Sequence, residues 1–342
     1  MDGDKKGFFD IDDGSVYVVA EIGMTHDGSF GLAVKLTEAA IDSGAHVIKY
    51  QWHIAEAETT RAAPTPPYFT NEKRFDYFNR TQFSVDQFRS LADLCRGNNV
   101  IPCVSVFSIE SVHCAQEAGF DIIKIPSGEV TNIPMLRVVR DTGLPVILSS
   151  GMSNWDELDQ AVDTLGNKKN LCILQCTSMY PTPAAKVGLN IIGELRRRYN
   201  TSVGLSDHTL TGATAVAAVA LGVTVIEKHF TISKLLYGPD ARFSLDPDEF
   251  KRLVNDVQYV SCAINSSVNK DDIGHFSEMK QVFQKSIVAK TAIKKGEVLT
   301  MDNLAFKKPG TGIPASRVDN ILGKTYASDA STDDMINIKC VK

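Results

Sequence analysis

The sequence has no C-x-x-C pair, no long apolar run and no excess of positive charge, and each absence excludes a class of protein. Its seven cysteines are scattered and odd in number, and Cys172 and Cys176 share one apolar strand-like run, LCILQC. Metal-binding cysteines need a second pair of ligands nearby, which this run does not have. We therefore expect reduced thiols in the core and no structural zinc site.

The balance of charge and hydropathy limits the partners that the protein can have. The formal net charge of −5 gives no basic field of the kind that holds a nucleic-acid backbone. The most apolar helix candidate, TGATAVAAVALGV at 211–223, is too short to cross a bilayer. The opening MDGDKKGFFD lacks the basic start and apolar core of a secretory signal. We expect a soluble, cytoplasmic protein that binds neither nucleic acid nor membrane.

No G-x-G-x-x-G motif follows the first apolar run, so nothing indicates a dinucleotide-binding sheet. Instead, short β-branched runs alternate with segments of helical period, several of which end in glycine. Near-continuous apolar strands joined by helices indicate a parallel sheet, and eight of them predict an α/β fold closed into a (β/α)₈ TIM barrel. An open doubly wound sheet is the alternative. The predicted strands are 16–23, 46–51, 100–107, 121–128, 145–151, 171–178, 202–208 and 224–230.

The length of 342 residues predicts one large domain and a small one. The barrel pattern stops after residue 265, so we assign 1–265 to the barrel and the polar stretch 266–284 to a linker. Residues 285–342 are dense in short strands and turns, which predicts a small, mostly β domain. Residues 52–84 are rich in proline and aromatic residues and exceed a plain βα loop, which predicts a lid or an interface element.

Polar side chains stand at the end of every predicted strand. The active site of a (β/α)₈ barrel is built at these C-terminal strand ends, although a single Ser or Asp there can simply cap the next helix. In chain order the residues are Glu21, Lys49, Gln51, Ser105, Lys124, Ser127, Glu129, Ser149, Ser150, Thr177, Ser178, Tyr180, Ser206, Asp207, His208 and His229.

Two histidines among these residues form a candidate metal site. His208 and His229 end neighbouring strands, which lie about 5 Å apart in a sheet, so both imidazoles can reach one cation. A third oxygen, from Glu21 or from a substrate, would suit a divalent ion such as Mn²⁺ with open positions. Two hydrogen-bonded histidines without a metal are the alternative.

Two lysines form the second candidate group, because an isolated charge in an apolar strand is costly to bury unpaired. With the serine hydroxyls, Lys49 and Lys124 describe a pocket for a phosphate and a carboxylate. One alternative is an ion pair of Lys49 with Glu21 or Glu129. Another is a Schiff-base role for Lys124, because buried lysines with a lowered pKa serve as carbonyl nucleophiles.

Eight motifs occur in the order found in the sialic acid synthase family, which the sequence resembles. They are AEIGMTHDGS, VIKYQWHI, KIPSGEVTNIPML, ILSSGM, QCTSMYPTP, VGLSDHT, IEKHFT and GPDARFSLDP. The tail, with KSIVAKTAIKKGEVLTMDNLAFKKPGTG, resembles the antifreeze-like (SAF) domain of that family. The resemblance covers 16–342 and implies a (β/α)₈ barrel followed by a SAF domain.

The resemblance implies a metal-dependent transferase that condenses phosphoenolpyruvate with N-acetylmannosamine, giving N-acetylneuraminate and phosphate. A diacetamido hexose acceptor, giving legionaminic or pseudaminic acid, is the alternative. The family also implies Mn²⁺, with Mg²⁺ or Co²⁺ as substitutes, and a domain-swapped homodimer in which each SAF domain covers the partner's barrel. A Schiff-base aldolase and a carbohydrate-binding scaffold without catalysis are the hypotheses from other classes.

Carried over motif by motif, the resemblance implies three groups of site residues. His208 and His229 match the metal ligands. The positions that match the phosphoenolpyruvate pocket are Lys49, Ser105, Lys124, Ser127, Ser149 and Ser206. The positions that match the sugar-facing side are Glu21, Gln51, Glu129, Tyr180, Asp240 and Lys308. We expect Glu21, Lys124 and Glu129 to be catalytic, with Glu129 positioning or deprotonating the attacking water.

Three positions depart from the pattern of the family. Thr25 and Ser178 stand where the motifs usually have Asn, and Lys308 stands where many bacterial members have Arg. A lysine keeps the positive charge but lacks the bidentate fork of arginine. We expect these changes to affect acceptor preference and not the reaction class.

Overall fold

The computed structural model describes residues 7–9, 14–65 and 72–342. It divides into two compact units, Met1–Ser266 and Ser267–Lys342. In the first unit, eight parallel strands close into a barrel in chain order, which confirms the predicted (β/α)₈ fold and excludes the open sheet. The strands are β1 (Tyr17–Gly23), β2 (Val47–Trp52), β3 (Ile101–Val106), β4 (Ile122–Ile125), β5 (Val146–Ser149), β6 (Leu171–Cys176), β7 (Ser202–Asp207) and β8 (Val225–His229).

Alternation along each strand separates the inside of the barrel from the layer under the helices. Val18, Ala20 and Ile22 of β1 belong to the large apolar cluster under the helices, whereas Val19 belongs to a second cluster inside the barrel. This inner cluster consists of Phe9, Val19, Val47, Cys103, Ile122, Ile147, Cys172, Leu174 and Val225. Two residues further along β1 and β2, Glu21 and Lys49 line a cavity, so the inside changes from apolar to polar towards the C-terminal end.

Helices follow the strands and cover the outside of the barrel. They are α1 (Phe30–Asp42), α2 (Ala55–Glu58), α3 (Arg74–Thr81), α4 (Val85–Gly97), α5 (Ile109–Ala118), α6 (Ile133–Asp141), α7 (Trp155–Leu165), α8 (Leu189–Tyr199), α9 (Ala213–Ala220) and α10 (Pro247–Asn265). Capping boxes start α4 at Ser84 with Gln87 and α10 at Asp246 with Glu249, each stabilising by about 1 kcal/mol. No helix in the described residues has the length and apolarity to cross a membrane.

The excursion predicted after β2 contains the short helices α2 and α3. Phe75 and Phe78 of α3 pack with Met24, which follows β1, in a small apolar cluster. This packing anchors α3 beside the C-terminal end of the barrel. Residues 66–71 of the predicted excursion lie outside the described residues, and the role as lid or interface stays a prediction.

The second unit is small and built around an antiparallel pair, as predicted. Strand β9 (Ser286–Ala289) pairs with β10 (Leu304–Lys307), and helix α11 (Ser277–Phe283) precedes them inside the stretch assigned to the linker. The core of this unit consists of Ile287, Ala289, Ile293, Leu299, Leu304, Ile321, Tyr326, Ala330 and Ile336. These residues all belong to the second unit, which therefore has its own core.

Candidate active site

A cavity of about 410 Å³ opens at the C-terminal end of the barrel and receives side chains from all eight strands or the turns that follow them. Closure of the barrel brings distant strand ends together, since Glu21 lies in register with both Lys49 and His229. The predicted site residues that line the cavity are Glu21, Lys49, Gln51, Ser105, Lys124, Ser127, Ser149, Tyr180, Ser206, His208, His229 and Asp240.

Glu129 and Lys308 are the two remaining predicted residues. Glu129 lies on the 3₁₀ turn that follows β4, where its half-buried carboxylate accepts a hydrogen bond of 2.8 Å from Asn132 Nδ2. Burial raises the pKa of Glu129, and the Asn132 hydrogen bond opposes this rise only in part. Lys308 follows β10 in the second unit, with Nζ 5.0 Å from the centre of the Phe283 ring.

Glu227, which the sequence analysis did not single out, joins the two predicted lysines inside the barrel. Its carboxylate oxygens accept hydrogen bonds from Lys124 Nζ at 3.0 and 2.9 Å and from Ser206 Oγ at 2.8 Å. The Oε2 atom also lies 3.1 Å from Lys49 Nζ. Burial disfavours the charged carboxylate, but Lys124 and Lys49 outweigh it and hold the pKa of Glu227 well below its ordinary value.

The two lysines differ in their surroundings. Lys49 Nζ lies 3.0 Å from Glu21 Oε2 and 3.2 Å from Ser105 Oγ, in addition to its contact with Glu227. Burial lowers the pKa of Lys49, but Glu21 and Glu227 raise it above the ordinary value. Burial and the neighbouring Lys49 instead leave the pKa of Lys124 below the ordinary value, despite Glu227. The ion pair considered for Lys49 is therefore formed, with Glu21 and Glu227 as its partners.

A chain of hydrogen bonds leads from this cluster to the excursion after β2. Gln51 Nε2 donates to Glu21 Oε1 at 2.6 Å, and His53 Nε2 lies 3.0 Å from Gln51 Oε1. His53 Nδ1 lies 2.9 Å from the carboxylate of Glu58 in α2. The imidazole is stacked between two phenylalanine rings at 3.7 and 4.0 Å. The side chains of Glu21 and Gln51 are thus held by hydrogen bonds that continue to His53 and Glu58.

The two histidines predicted to bind metal lie side by side, with ring centres 5.5 Å apart. His208 Nδ1 is 3.0 Å from the Thr177 carbonyl oxygen, which can only accept, so Nδ1 carries a proton, and Nε2 lies 3.4 Å from Ser206 Oγ. His229 Nδ1 is buried and has no hydrogen-bond partner among the described residues. An orphaned, buried imidazole nitrogen fits a metal ligand.

A complete set of protein ligands is not assembled around these histidines. Within residues 7–9, 14–65 and 72–342, no three His, Cys, Asp or Glu side chains are grouped so that they could hold a metal ion. Glu21, expected as a third ligand, has one oxygen bonded to Gln51 and the other in the ion pair with Lys49. The two imidazoles therefore fit a metal whose other positions are filled by substrate or water.

The side of the cavity assigned to the sugar contains one cation that the sequence analysis missed. Tyr180 lies with its ring centre 4.3 Å from that of His208, and Asp240 Oδ2 accepts a hydrogen bond of 2.9 Å from the Met24 amide. Arg74 of α3 also lines the cavity, and its buried Nε has no hydrogen-bond partner in the described part of the chain. An unpaired buried donor at a cavity indicates where an acceptor atom of a ligand binds.

Thr25 and Ser178, two of the positions that depart from the pattern of the family, occupy different environments. Thr25 is buried, and its Oγ1 donates to the Ile22 carbonyl at 2.7 Å within the turn after β1. Ser178 lines the cavity. At Gly151 an added Cβ would lie 2.5 Å from Ser127 Oγ and 2.6 Å from Ser178 Oγ, so the glycine leaves room for both hydroxyls.

The sequence offered a signal for some of the other residues that line the cavity and none for the rest. Glu227 was detectable, because it stands inside an apolar strand two residues before His229 and therefore on the same side of that strand. His53, Arg74 and Phe107 belong to loops or to the excursion, for which no strand register exists. Cys176 was taken as a core thiol, and it also lines the cavity.

Comparison with known proteins agrees with this fold. The model of the NeuB family matches residues 36–269, and the model of the SAF domain matches residues 284–342. Because the first match spans more than half of the chain, the chain belongs to the NeuB family. It carries a SAF domain at its C-terminal end.

Similar proteins of this family are synthases of sialic acid and related sugars. The chain is 36% identical over 330 residues to N,N'-diacetyllegionaminic acid synthase of Campylobacter jejuni, covering 93% of this chain and 98% of that protein. It is 32% identical over 328 residues to human N-acetylneuraminate-9-phosphate synthase, covering 94% and 91%. The crystal structure of N-acetylneuraminic acid synthetase from Leptospira borgpetersenii matches with a TM-score of 0.67 at 28% identity, covering 78% and 90%. The chain is thus an enzyme of the sialic acid synthase family.

Proposed function

We propose that the protein condenses phosphoenolpyruvate with an open-chain N-acyl amino sugar, giving a nine-carbon 2-keto acid and phosphate. The observation that carries the proposal is a single cavity in which two lysines and several serine hydroxyls lie beside a pair of imidazoles. Ammonium groups and hydroxyls suit a phosphate and a carboxylate, and imidazoles suit a divalent metal. Membership of the sialic acid synthase family supports the same reaction class.

The acceptor that we propose is a diacetamido hexose, so that the product is of the legionaminic acid type. The identity of 36% to the legionaminic acid synthase exceeds the 32% to the human N-acetylneuraminate-9-phosphate synthase. This reverses the order expected from the sequence, in which N-acetylmannosamine came first. N-acetylmannosamine is the second candidate, which the similarity to the Leptospira synthetase favours.

Lys124, Ser105 and Ser206 bind the phosphoenolpyruvate anion in this proposal. Their donors are already placed inside the barrel, so they stabilise the charge of the departing phosphate without reorganisation. Lys49 completes the positive side of the pocket, Ser127 lines it from the turn after β4, and Ser149 lines it from the end of β5. Gln51, Tyr180 and Asp240 face the sugar.

His208 and His229 would hold a divalent metal, with Mn²⁺ as the proposed ion and Mg²⁺ or Co²⁺ as substitutes. Such an ion, when bound, polarises the sugar aldehyde and makes it more electrophilic. The orphaned His229 Nδ1 supports this assignment. The Tyr180 ring packs against the His208 ring and keeps the imidazole in position.

Glu129 positions or deprotonates the water that attacks C2 of the condensed intermediate. Its carboxyl is half-buried, and burial raises its pKa, which makes the carboxylate a stronger base than an exposed glutamate. Arg74 and His53, which line the cavity, interact electrostatically with Glu129. This neighbourhood supports a role at the edge of the cavity.

The active form that we propose is a domain-swapped homodimer in which Lys308 serves the partner's cavity. The loops after β5 and β8 carry Met152 and Leu235, which are 73% and 95% exposed. A partner chain that covered these loops would remove both apolar side chains from water, which favours association. Light scattering should give twice the mass of one chain, and a fully active monomer would contradict this part of the proposal.

Product identification tests the proposed function. The purified protein is incubated with phosphoenolpyruvate, Mn²⁺ and an equal mixture of a 2,4-diacetamido hexose and N-acetylmannosamine, and the keto acids are identified by mass. The proposal predicts that the diacetamido product dominates. If only N-acetylmannosamine gave a product, the proposed acceptor would be wrong and the proposed reaction would stand. If neither sugar gave a keto acid, the proposed function would be contradicted.

A further inference from the structure

The inside of the barrel contains a lysine whose charge depends on one carboxylate. Lys124 is 1% exposed, lines the cavity and donates to both oxygens of Glu227, at 3.0 and 2.9 Å. Lys49 has a second carboxylate, Glu21, at 3.0 Å. Loss of Glu227 would therefore leave Lys49 with a counter-ion and Lys124 without one.

The other titratable groups that face Lys124 do not replace Glu227. Lys49 on β2 is a second cation, and together with burial it lowers the pKa of Lys124. Burial raises the pKa of the thiols of Cys103 on β3 and Cys172 on β6, so both stay neutral. Cys176 on β6 also raises the pKa of Lys124, but by less than Glu227 does, and its sulfur accepts a hydrogen bond from Ser127 Oγ. The carboxylate is thus the main group that favours the ammonium form.

Without that carboxylate, Lys124 would have the surroundings of a nucleophilic amine. A lysine that is desolvated and lies beside another cation loses its proton more readily and can attack a carbonyl carbon. The sequence raised this Schiff-base chemistry as an alternative for Lys124. Glu227 is the feature of the site that opposes it.

We propose that Glu227 is a positioning residue that keeps Lys124 an ammonium ion, and so commits the pocket to binding an anion instead of forming a Schiff base. The inference rests on the proposed role of the two lysines in binding the phosphate of phosphoenolpyruvate. According to this proposal, a residue of β8, the strand that also ends in His229, decides whether the pocket binds an anion or forms a Schiff base with a carbonyl.

Inorganic phosphate, the expected product, is the first probe. Its affinity is measured by calorimetry between about pH 7 and about pH 9.5 for the wild-type protein and for Glu227→Gln, which keeps the shape and removes the charge. In the variant the pKa of Lys124 falls further, so the ammonium is lost as pH rises. We expect a loss of affinity of about tenfold or more across this range in the variant, and little change in the wild type. Glu227→Met, neutral and of similar length, is a second variant with the same expectation.

Pyruvate with borohydride is the second probe and has a readout independent of turnover. The uncharged Lys124 Nζ attacks the carbonyl carbon, the carbonyl oxygen leaves as water, and borohydride delivers a hydride to the imine carbon. A carboxyethyl group then remains on Lys124, which peptide mass spectrometry locates. We expect this adduct in Glu227→Gln, no adduct in the wild type, and none when Lys124→Arg is added to the variant.

A matched control exists on β7 and β8. Lys228 is also buried and pairs with Asp207 at 2.9 Å, but neither residue lines the cavity. Asp207→Asn therefore removes the counter-ion of a buried lysine elsewhere, and should give neither the pH-dependent loss of phosphate binding nor an adduct. If it gave both, the effects of Glu227→Gln would come from general loosening of the barrel and the proposal would fail.

The two probes separate this proposal from the proposed function. A folded Glu227→Gln protein with wild-type phosphate binding at every pH, or without an adduct, would overturn the role of Glu227. A wild-type protein that binds no phosphate would contradict the anion pocket, and the pyruvate comparison alone would then decide the role of Glu227.

Discussion

At the scale of single residues, the site is defined by charges that are buried together. Glu21, Lys49, Glu227 and Lys124 form, in that order, a chain of three ion pairs inside the barrel. Buried ion pairs of this kind seldom stabilise a protein more than apolar side chains of the same volume would. Their place in the cavity is therefore better explained by binding and catalysis than by stability.

Replacement of Glu129 by Gln tests the proposed general base. Loss of a positioned base typically lowers the rate by about a hundredfold or more, so kcat of Glu129→Gln should fall at least that far. Phosphate binding and metal binding should stay at wild-type levels, because Glu129 is not among the groups assigned to either. Steady-state kinetics and calorimetry check this, with the exposed Glu110→Gln on α5 as the control. Full activity of Glu129→Gln would exclude the role.

Replacement of Arg74 tests the side of the cavity assigned to the sugar. Its buried Nε is unpaired among the described residues, so a bound acceptor should supply the missing oxygen. A hydrogen bond from a charged donor contributes about 1.5–3 kcal/mol, so KM for the sugar should rise at least about tenfold in Arg74→Ala. KM for phosphoenolpyruvate should not change.

The matched control for Arg74 is Arg61, which belongs to the same excursion and stacks on the Phe75 ring. Arg61→Ala should leave both KM values at wild-type levels, because Arg61 does not line the cavity. Equal effects of Arg74→Ala on both substrates would contradict a specific contact with the acceptor.

At the scale of elements, the sequence predicted the features that depend on local patterns and missed the contacts that depend on closure of the barrel. The eight strands and the helices between them follow from apolar runs and periodicity, and the structure has them where they were expected. The local pattern places Glu227 on the same side of β8 as His229, but its pairing with Lys49 and Lys124 was missed, because these lysines come from strands more than a hundred residues earlier. Arg74 was missed because the position of α3 depends on its packing with Met24, which no periodicity shows.

The turn after β1 gives a prediction for stability against pH. His26 is buried, accepts a hydrogen bond from the Gly28 amide at 3.1 Å, and stacks on Phe83. Burial, aided by His53, lowers the pKa of His26 from 6.5 to about 4. The unfolded chain therefore binds a proton at His26 more readily than the folded chain does. The stability that this difference contributes is fully present above about pH 6.5 and is lost as pH falls through about 4.

The loss amounts to a decrease on the order of 3 kcal/mol in the free energy of unfolding between about pH 6.5 and about pH 4. In His26→Asn, which keeps an acceptor and has no proton to bind, stability should fall less over the same range. Urea denaturation at several pH values measures both slopes. Identical slopes in the two proteins would show that His26 does not carry the effect.

At the scale of the whole molecule, one chain combines a barrel that contains the cavity with a small SAF unit that has its own core. Length and the end of the barrel pattern were enough to predict both parts. The acceptor was not predictable in the same way, since the motifs are common to synthases that act on different sugars. Family membership therefore establishes the reaction class, whereas the acceptor stays a proposal that the Arg74 variant and product identification test.

The measurement that tests the central claim most directly is phosphate release from phosphoenolpyruvate by metal-stripped protein, with and without Mn²⁺ and with and without the diacetamido sugar. The two imidazoles and the lysine pocket predict that release requires both the metal and the sugar, and that His208→Ala and His229→Ala abolish it. Release without sugar or without metal, or undiminished release by both histidine variants, would contradict the account.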